Sequence, residues 1–211
     1  MYLIVRCLFI FLLTISCEKT PDSKPNWEEI GGRDEADLSG ALIRYPVYRA
    51  KVPKKWLRKD PAPFESNFDS TKPLCEFFLD AIRITVHNFP NEKIPPFAQI
   101  ERWKRQLQPY LPESISILPE SQGGFFGFQL EGEGIFKKNP VKMFAWAMQM
   151  DPELSQNLET QTNSPLGSYY KQMKASYTIK AVGPPEQMEA HKEEIVLFAR
   201  SFELIQEIPY E

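Results

Sequence analysis

Polar and apolar positions alternate most clearly in the middle of the chain. Ile82, Ile84 and Val86 interleave with Arg83, Thr85 and His87, the period of a strand buried on one face. The run Leu74–Leu79 predicts a second strand, joined to the first by a tight link at Asp80. Upstream, Ile43, Tyr45 and Val47, then Tyr48, Ala50 and Val52, make an extended segment whose phase shifts near Pro46. Proline within a strand favours an edge or a bulge. A turn over Val52–Trp56 follows. Pro95-Pro96 opens a helix in which Phe97, Ile100, Trp103 or Lys104, Leu107 and Tyr110 recur at helical spacing, ended by Pro109 or Pro112. Ile115–Leu118 and Gly124–Glu131 predict a hairpin around Gln122-Gly123. Val141–Met150 predicts a central strand, and Asp151-Pro152 a short helix to about Leu158. Tyr169–Ala181 predicts one or two strands, stopped by Gly183-Pro184-Pro185. Met188, Ile195, Phe198, Phe202 and Ile205 lie 7, 3, 4 and 3 residues apart and predict a long final helix. The order lacks βαβ alternation. It predicts an α+β fold, a largely antiparallel sheet packed between helices.

The N-terminus follows another pattern. Leu3–Val5 and Cys7–Leu13 are apolar around one cation, Arg6, and polar sequence begins straight after Ser16-Cys17. A cation, an apolar centre and a small residue at the cut predict a cleavable export signal over residues 1–16. The alternative is an uncleaved anchor. As a helix, residues 2–16 would span about 22 Å, short of the roughly 30 Å hydrocarbon core, and would place Arg6 inside it. Residues 17–40 are polar and acidic, broken by Pro21, Pro25, Gly31, Gly32 and Gly40. They read as a flexible tether with a reach of roughly 25–30 Å. Trp27 pinning part of this segment onto the body is the alternative. Residues 41–211 then form a single domain.

Leu13-Thr14-Ile15-Ser16-Cys17 resembles the lipobox of bacterial lipoproteins. The resemblance implies that Cys17 becomes the N-terminus and carries two or three acyl chains, palmitate among them. Such a load holds a protein on a bilayer almost permanently, whereas one chain does so weakly. It implies a lipid-anchored protein of the bacterial cell envelope, facing the periplasm. Glu18, rather than Asp, after the Cys favours the outer membrane over the inner. Cys75 remains as a thiol inside an apolar run, expected to be buried as a small hydrophobe. A Cys17–Cys75 disulfide in an unlipidated protein is the alternative.

The body resembles the Mog1/PsbP-like family in Tyr48-Arg49-Ala50-Lys51-Val52-Pro53-Lys54-Lys55-Trp56, in the glycine-rich hairpin Gly123–Gly127, and in Ser176–Pro184. The end helix leading to Ser201-Phe202 completes the resemblance, which covers most of residues 42–205. Lys55 stands where many members have a Gly before the Trp. The resemblance implies an antiparallel sheet between helical layers and a role in binding other proteins rather than catalysis.

Composition narrows the function classes. Of 211 residues, 42% are hydrophobic, enough for a core. A net charge of −3 argues against a general nucleic-acid binder. Two His and three Cys cannot build a zinc ribbon or a disulfide framework. Neither His87 nor His191 has a second ligand at metal spacing, so no metal and no cofactor is expected. Ser168-Tyr169-Tyr170-Lys171 matches the Ser-x-x-Lys pattern, in which the Lys activates the Ser. No Lys-Thr-Gly follows it. A small exported serine hydrolase using Ser168 and Lys171 is the enzymatic alternative, and a carrier of an apolar ligand is another.

The basic residues are unevenly spread. Residues 41–59 hold Arg44, Arg49, Lys51, Lys54, Lys55, Arg58 and Lys59 with Trp56 among them and no acid. From Arg49 to Lys59 they make a candidate binding face for anionic head groups or an acidic partner, worth up to about 1 kcal/mol per cation near a charged surface. The plainer reading is a solvated strand and turn, neutralised by the protein's own acids at Glu28, Glu29, Asp34, Glu35 and Asp37. Arg102-Trp103-Lys104-Arg105 is a second basic cluster. Together these features predict a membrane-anchored exported lipoprotein that is not an enzyme. It would bind or support an unidentified envelope protein, meet the membrane through lipid on Cys17, and bind no nucleic acid.

Overall fold

A computed structural model describes residues 26–32, 35–36, 42–62, 72–89, 94–160 and 176–205. The first half of the chain forms β1 (Asn26–Gly31), β2 (Glu35–Ala36), β3 (Leu42–Ile43), β4 (Pro46–Val52), β5 (Leu57–Lys59), β6 (Cys75–Leu79), β7 (Ile82–Phe89) and α1 (Pro96–Gln106). The second half forms β8 (Ser116–Gln122), β9 (Phe125–Phe136), β10 (Asn139–Met150), α2 (Pro152–Thr160), β11 (Ser176–Gly183), α3 (Pro185–Ala190), α4 (Lys192–Arg200) and β12 (Glu203–Leu204). Every strand pair is antiparallel. The expected α+β class with an antiparallel sheet is what the chain adopts.

The main sheet has seven strands in the order β5-β6-β7-β11-β10-β9-β8. It consists of two meanders, β5–β7 and β8–β11, joined where β11 pairs back onto β7. Tight turns set the registers. Gly123 and Gly124 between β8 and β9, and Lys137 and Lys138 between β9 and β10, all have positive φ. Two-residue loops of that kind match the twist of the strands they join.

β10 explains its own continuous apolar sequence, because both of its faces are buried. Phe144, Trp146, Met148 and Met150 enter the larger core, while Val141, Met143, Ala145 and Ala147 enter a smaller one. The smaller core lies beneath α1, which supplies Ile100 and Trp103. Ala145 and Ala147 are small enough to leave room for that indole. α1 begins as expected, with Pro96 at its first turn. The larger core lies between the main sheet and a layer made by α3, α4 and a three-stranded sheet of order β1-β4-β12. Tyr48, Phe125, Tyr177 and Phe202 meet there ring to ring, with centroids 4.5–6.2 Å apart. Cys75 is fully buried in the same core as a free thiol, and burial pushes its pKa up.

Two elements differ from the sequence reading. Residues 26–31, expected inside the tether, form β1 against β4, with Ile30 fully buried. One buried isoleucine among acids is a thin apolar signal, and the strand's stability comes largely from main-chain pairing that no composition reveals. The single long final helix is instead α3 and α4, broken at His191, and the chain leaves helical geometry after Arg200. Phe202 still reaches the core, and Glu203–Leu204 adds an edge strand to β4. Ser201 fixes this exit: its Oγ accepts the Lys51 N–H (2.7 Å) and donates to the Phe198 carbonyl (2.8 Å). The export signal, Cys17, Ser168 and Lys171, and the first part of the strand region expected from Tyr169, lie outside the described residues.

Candidate interaction surface

From Tyr48 onward β4 alternates: Tyr48, Ala50 and Val52 are buried, whereas Arg49 and Lys51 are exposed. Antiparallel pairing sets Trp27 of β1 opposite Lys51, and Glu29 opposite Arg49. Arg49 and Lys51 both stand over the Trp27 indole, 5.5 Å and 5.1 Å from its centroid, within cation–π range. Trp27 is 51% exposed, while Trp56, Trp103 and Trp146 are buried. Arg49 also forms an ion pair with Glu203 of β12.

The other residues of the candidate face go to several places. Trp56 turns inward, packs on Phe77 and Phe198 (centroids 5.8 Å and 5.1 Å away), and donates its indole N–H to Glu194 at 3.0 Å. Lys55 holds the same carboxylate at 2.9 Å. Arg58 bonds Glu28 (3.2 Å), the Glu29 carbonyl (2.9 Å) and Asp60 (3.0 Å). It thereby closes the gap between the edge of β1 and the edge of β5. Lys51, Lys54 and Lys59 are exposed and have no carboxylate within ion-pair distance among the described residues. The structure thus brings Arg49 and Lys51 together with Trp27, and ties Lys55, Trp56 and Arg58 into the body.

A second ionic group was not foreseen from sequence. Lys142, 8% exposed, lies 3.1 Å from Glu131, 3.0 Å from Glu133 and 2.7 Å from Glu189. Lys192 holds both Glu131 oxygens at 2.9 Å. Burial opposes the Lys142 charge, but its bonds to Glu189, Glu133 and Glu131 outweigh that and raise its pKa. Lys142 in turn lowers the Glu189 pKa. This network clamps α3 and α4 onto β9 and β10 with its charges satisfied, which is a structural role.

His191 sits at the α3–α4 junction, 3.4 Å from Glu194 and 3.8 Å from Asp80. No nucleophile accompanies it in these contacts. Among the described residues no group of three or more His, Cys, Asp or Glu is placed to hold a metal ion. In the second basic cluster Trp103 is core and Lys104 pairs with Glu101 at 3.1 Å. The Phe and Met side chains of the central strands are packed in the two cores. A cleft at the start of α1, lined by Phe89, Ile94, Gln99 and Met148, encloses at most about 200 Å³ even with its open mouth counted, less than the usual small-molecule pocket. No described helix is long and apolar enough to cross a membrane.

In structure the chain is similar to the cyanobacterial PsbP (CyanoP) of Synechocystis sp. PCC 6803, at 10% identity, 90% of this chain, 98% of that chain and a TM-score of 0.49. It is also similar to LpqN of Mycobacterium tuberculosis, described as involved in cell envelope biogenesis, at 10% identity, 84% of this chain, 91% of that chain and a TM-score of 0.44. A third likeness is to PA94 of Pseudomonas aeruginosa, a protein of unknown function, at 11% identity, 85% of this chain, 99% of that chain and a TM-score of 0.40. No family model and no curated protein matches the chain. At this overlap the likenesses concern fold and carry no activity across.

Proposed function

We propose that this chain is an exported lipoprotein of the bacterial cell envelope, anchored through Cys17, facing the periplasm, with the outer membrane favoured. Its body binds or supports another envelope protein and catalyses no reaction. The anchoring rests on Leu13–Cys17 and the apolar leader ahead of it. The observation that carries the binding role is Trp27, half exposed and held beneath Arg49 and Lys51 on the outer face of β1 and β4. Trp and Arg are the residues that most often dominate binding energy at an interface. A tryptophan fixed by two cations loses little freedom on contact. Lys51, Lys54 and Lys59 add outward charge on the same stretch of chain for an acidic surface.

Two measurements test this. Intact-mass analysis of the native protein is expected to give a chain beginning at acylated Cys17; an intact Met1 end overturns the anchoring. Cross-linking in envelope membranes is expected to join the protein to a defined partner, with loss of that product on Trp27→Ala or Lys51→Glu. An unchanged cross-linking pattern in both variants removes this face from the account.

A further inference from the structure

Lys180 lies in the middle of β11, on the side of the main sheet that carries α1. Its neighbours Ile179 and Ala181 face the larger core, while Val182 packs beside the smaller one. Strand pairing sets Thr85 opposite Lys180 and Arg83 opposite Val182. Arg83 is therefore one diagonal step from Lys180 on the same face, within reach of a long side chain. Lys137, in the β9–β10 turn, and Lys180 both stand over the Phe136 ring, 5.5 Å and 5.9 Å from its centroid. Arg102 of α1 is close enough for its charge to act on Lys180.

Lys180 and Lys137 thus share the Phe136 ring, with Arg83 one diagonal step away and the Arg102 charge acting from α1. Glu76, on the strand beside Arg83, is taken up by Arg83 itself. Lys180, Lys137 and Arg102 have no carboxylate within ion-pair distance among the described residues. Burial lowers the Lys180 pKa, and Arg83, Arg102 and Lys137 lower it further. The contrast with Lys142 is direct, since that lysine has three carboxylates around it. A partly buried cation among like charges costs free energy that an apolar side chain of the same length would avoid. Clusters held at such a cost are where ligand sites are found.

We propose that Lys180, Arg83, Arg102 and Lys137 form a binding site for a phosphate-bearing ligand, with Phe136 as its apolar wall. A phosphate monoester brings a charge of roughly −1.5 to −2 to one point, against one for a carboxylate. The Arg102 fork can match its oxygens in pairs, while Arg83, whose Nε and Nη2 are held by Glu76, adds its Nη1. The site is separate from the Trp27 face and does not depend on acylation of Cys17.

The test is calorimetric titration of the full-length chain in neutral micelles with pyrophosphate, with inorganic phosphate and with polyglutamate. Pyrophosphate is expected to bind, and Lys180→Met to weaken it by about tenfold, the loss of one charge-assisted contact. Lys137→Met should weaken it less. Without ligand, Lys180→Met is expected to raise the Tm, which separates loss of binding from loss of folding. Phosphatidylglycerol added to the micelles distinguishes the sources: competition with pyrophosphate identifies a lipid head group, and unchanged affinity a soluble phosphate compound. Absence of binding to pyrophosphate, phosphate and phosphatidylglycerol overturns the proposal. So does affinity unchanged by Lys180→Met, or polyglutamate binding as tightly as pyrophosphate, which would mark an acidic-peptide site instead.

Discussion

Two lysines, Lys142 and Lys180, show how partners decide what a charge does. Lys142 is satisfied by Glu131, Glu133 and Glu189. Lys142→Met leaves those carboxylates with Lys192 alone, and the protein is expected to lose about 2 kcal/mol in urea unfolding. That is below the 3–5 kcal/mol of a fully buried pair because Glu133 and Glu189 are well exposed. The pH dependence has a definite sign. Glu189 has a folded pKa below its ordinary value of 4.5, through its hydrogen bond from Lys142. Its contribution is present above that value and is lost as the pH falls through the folded pKa. Glu189→Gln is therefore expected to flatten the fall of Tm on acidification below about pH 4.5. Lys180 destabilises where Glu189 stabilises, although stability rises with pH through both titrations. Its folded pKa lies below the ordinary 10.5 of a lysine, so its charge destabilises the fold at neutral pH. That penalty fades as the pH rises through the folded pKa.

At the scale of elements, β1 is held by main-chain pairing to β4, by Ile30 in the core, and by Arg58 across its outer edge. Arg58→Ala removes the bonds to Glu28 and to the Glu29 carbonyl. It is expected to cost about 1–2 kcal/mol and to speed amide exchange in β1 while leaving β10 unchanged. Exchange that rises equally in both strands would mean that β1 does not open by itself. Gly127 has a different constraint: a Cβ there would run into the Ala147 carbonyl on the paired strand. Gly127→Ala is expected to lower stability by about 1–3 kcal/mol, seen as a shift in the urea midpoint. These elements differ in how far they can be read from sequence. β7 and β10 are legible because every second residue from Ile82 to Val86, and every residue from Met143 to Met148, is apolar, a local pattern. β12 is not, because Phe202 and Ile205 continue the helical spacing of α4 even though the backbone has turned to pair with β4. The candidate face was legible as a run of cations, but not the fate of each. The partner of Arg49 is 154 positions away and that of Trp56 is 138 away, beyond any local pattern. The Lys180 group joins β7, α1, a hairpin turn and β11, so only the folded sheet assembles it.

For the molecule as a whole, the start of β1 changes the relation between Cys17, the proposed anchor point, and the body. Eight residues, not the twenty-three expected, separate Cys17 from Asn26. Fully extended, the nine links between them span at most about 30 Å. In the acylated protein this would hold the end of the small sheet that carries Trp27 and Lys51 close to the bilayer. The register supports that orientation, because Asn26 pairs with Val52, beside the turn that bears Lys54 and Lys55. The same observation moves the boundary of the folded unit. A chain begun at Ala41 would lack β1, would leave β4 without its partner on that edge, and would remove Ile30 from the larger core. Loss of one such buried side chain alone costs about 2–5 kcal/mol, a large part of the stability of a domain this size. A chain begun at Asn26 is therefore expected to unfold in one cooperative transition. The chain begun at Ala41 is expected to show a urea midpoint lower by that amount, or no transition at all. Equal midpoints for the two would mean that β1 adds nothing to the body and belongs to the tether after all.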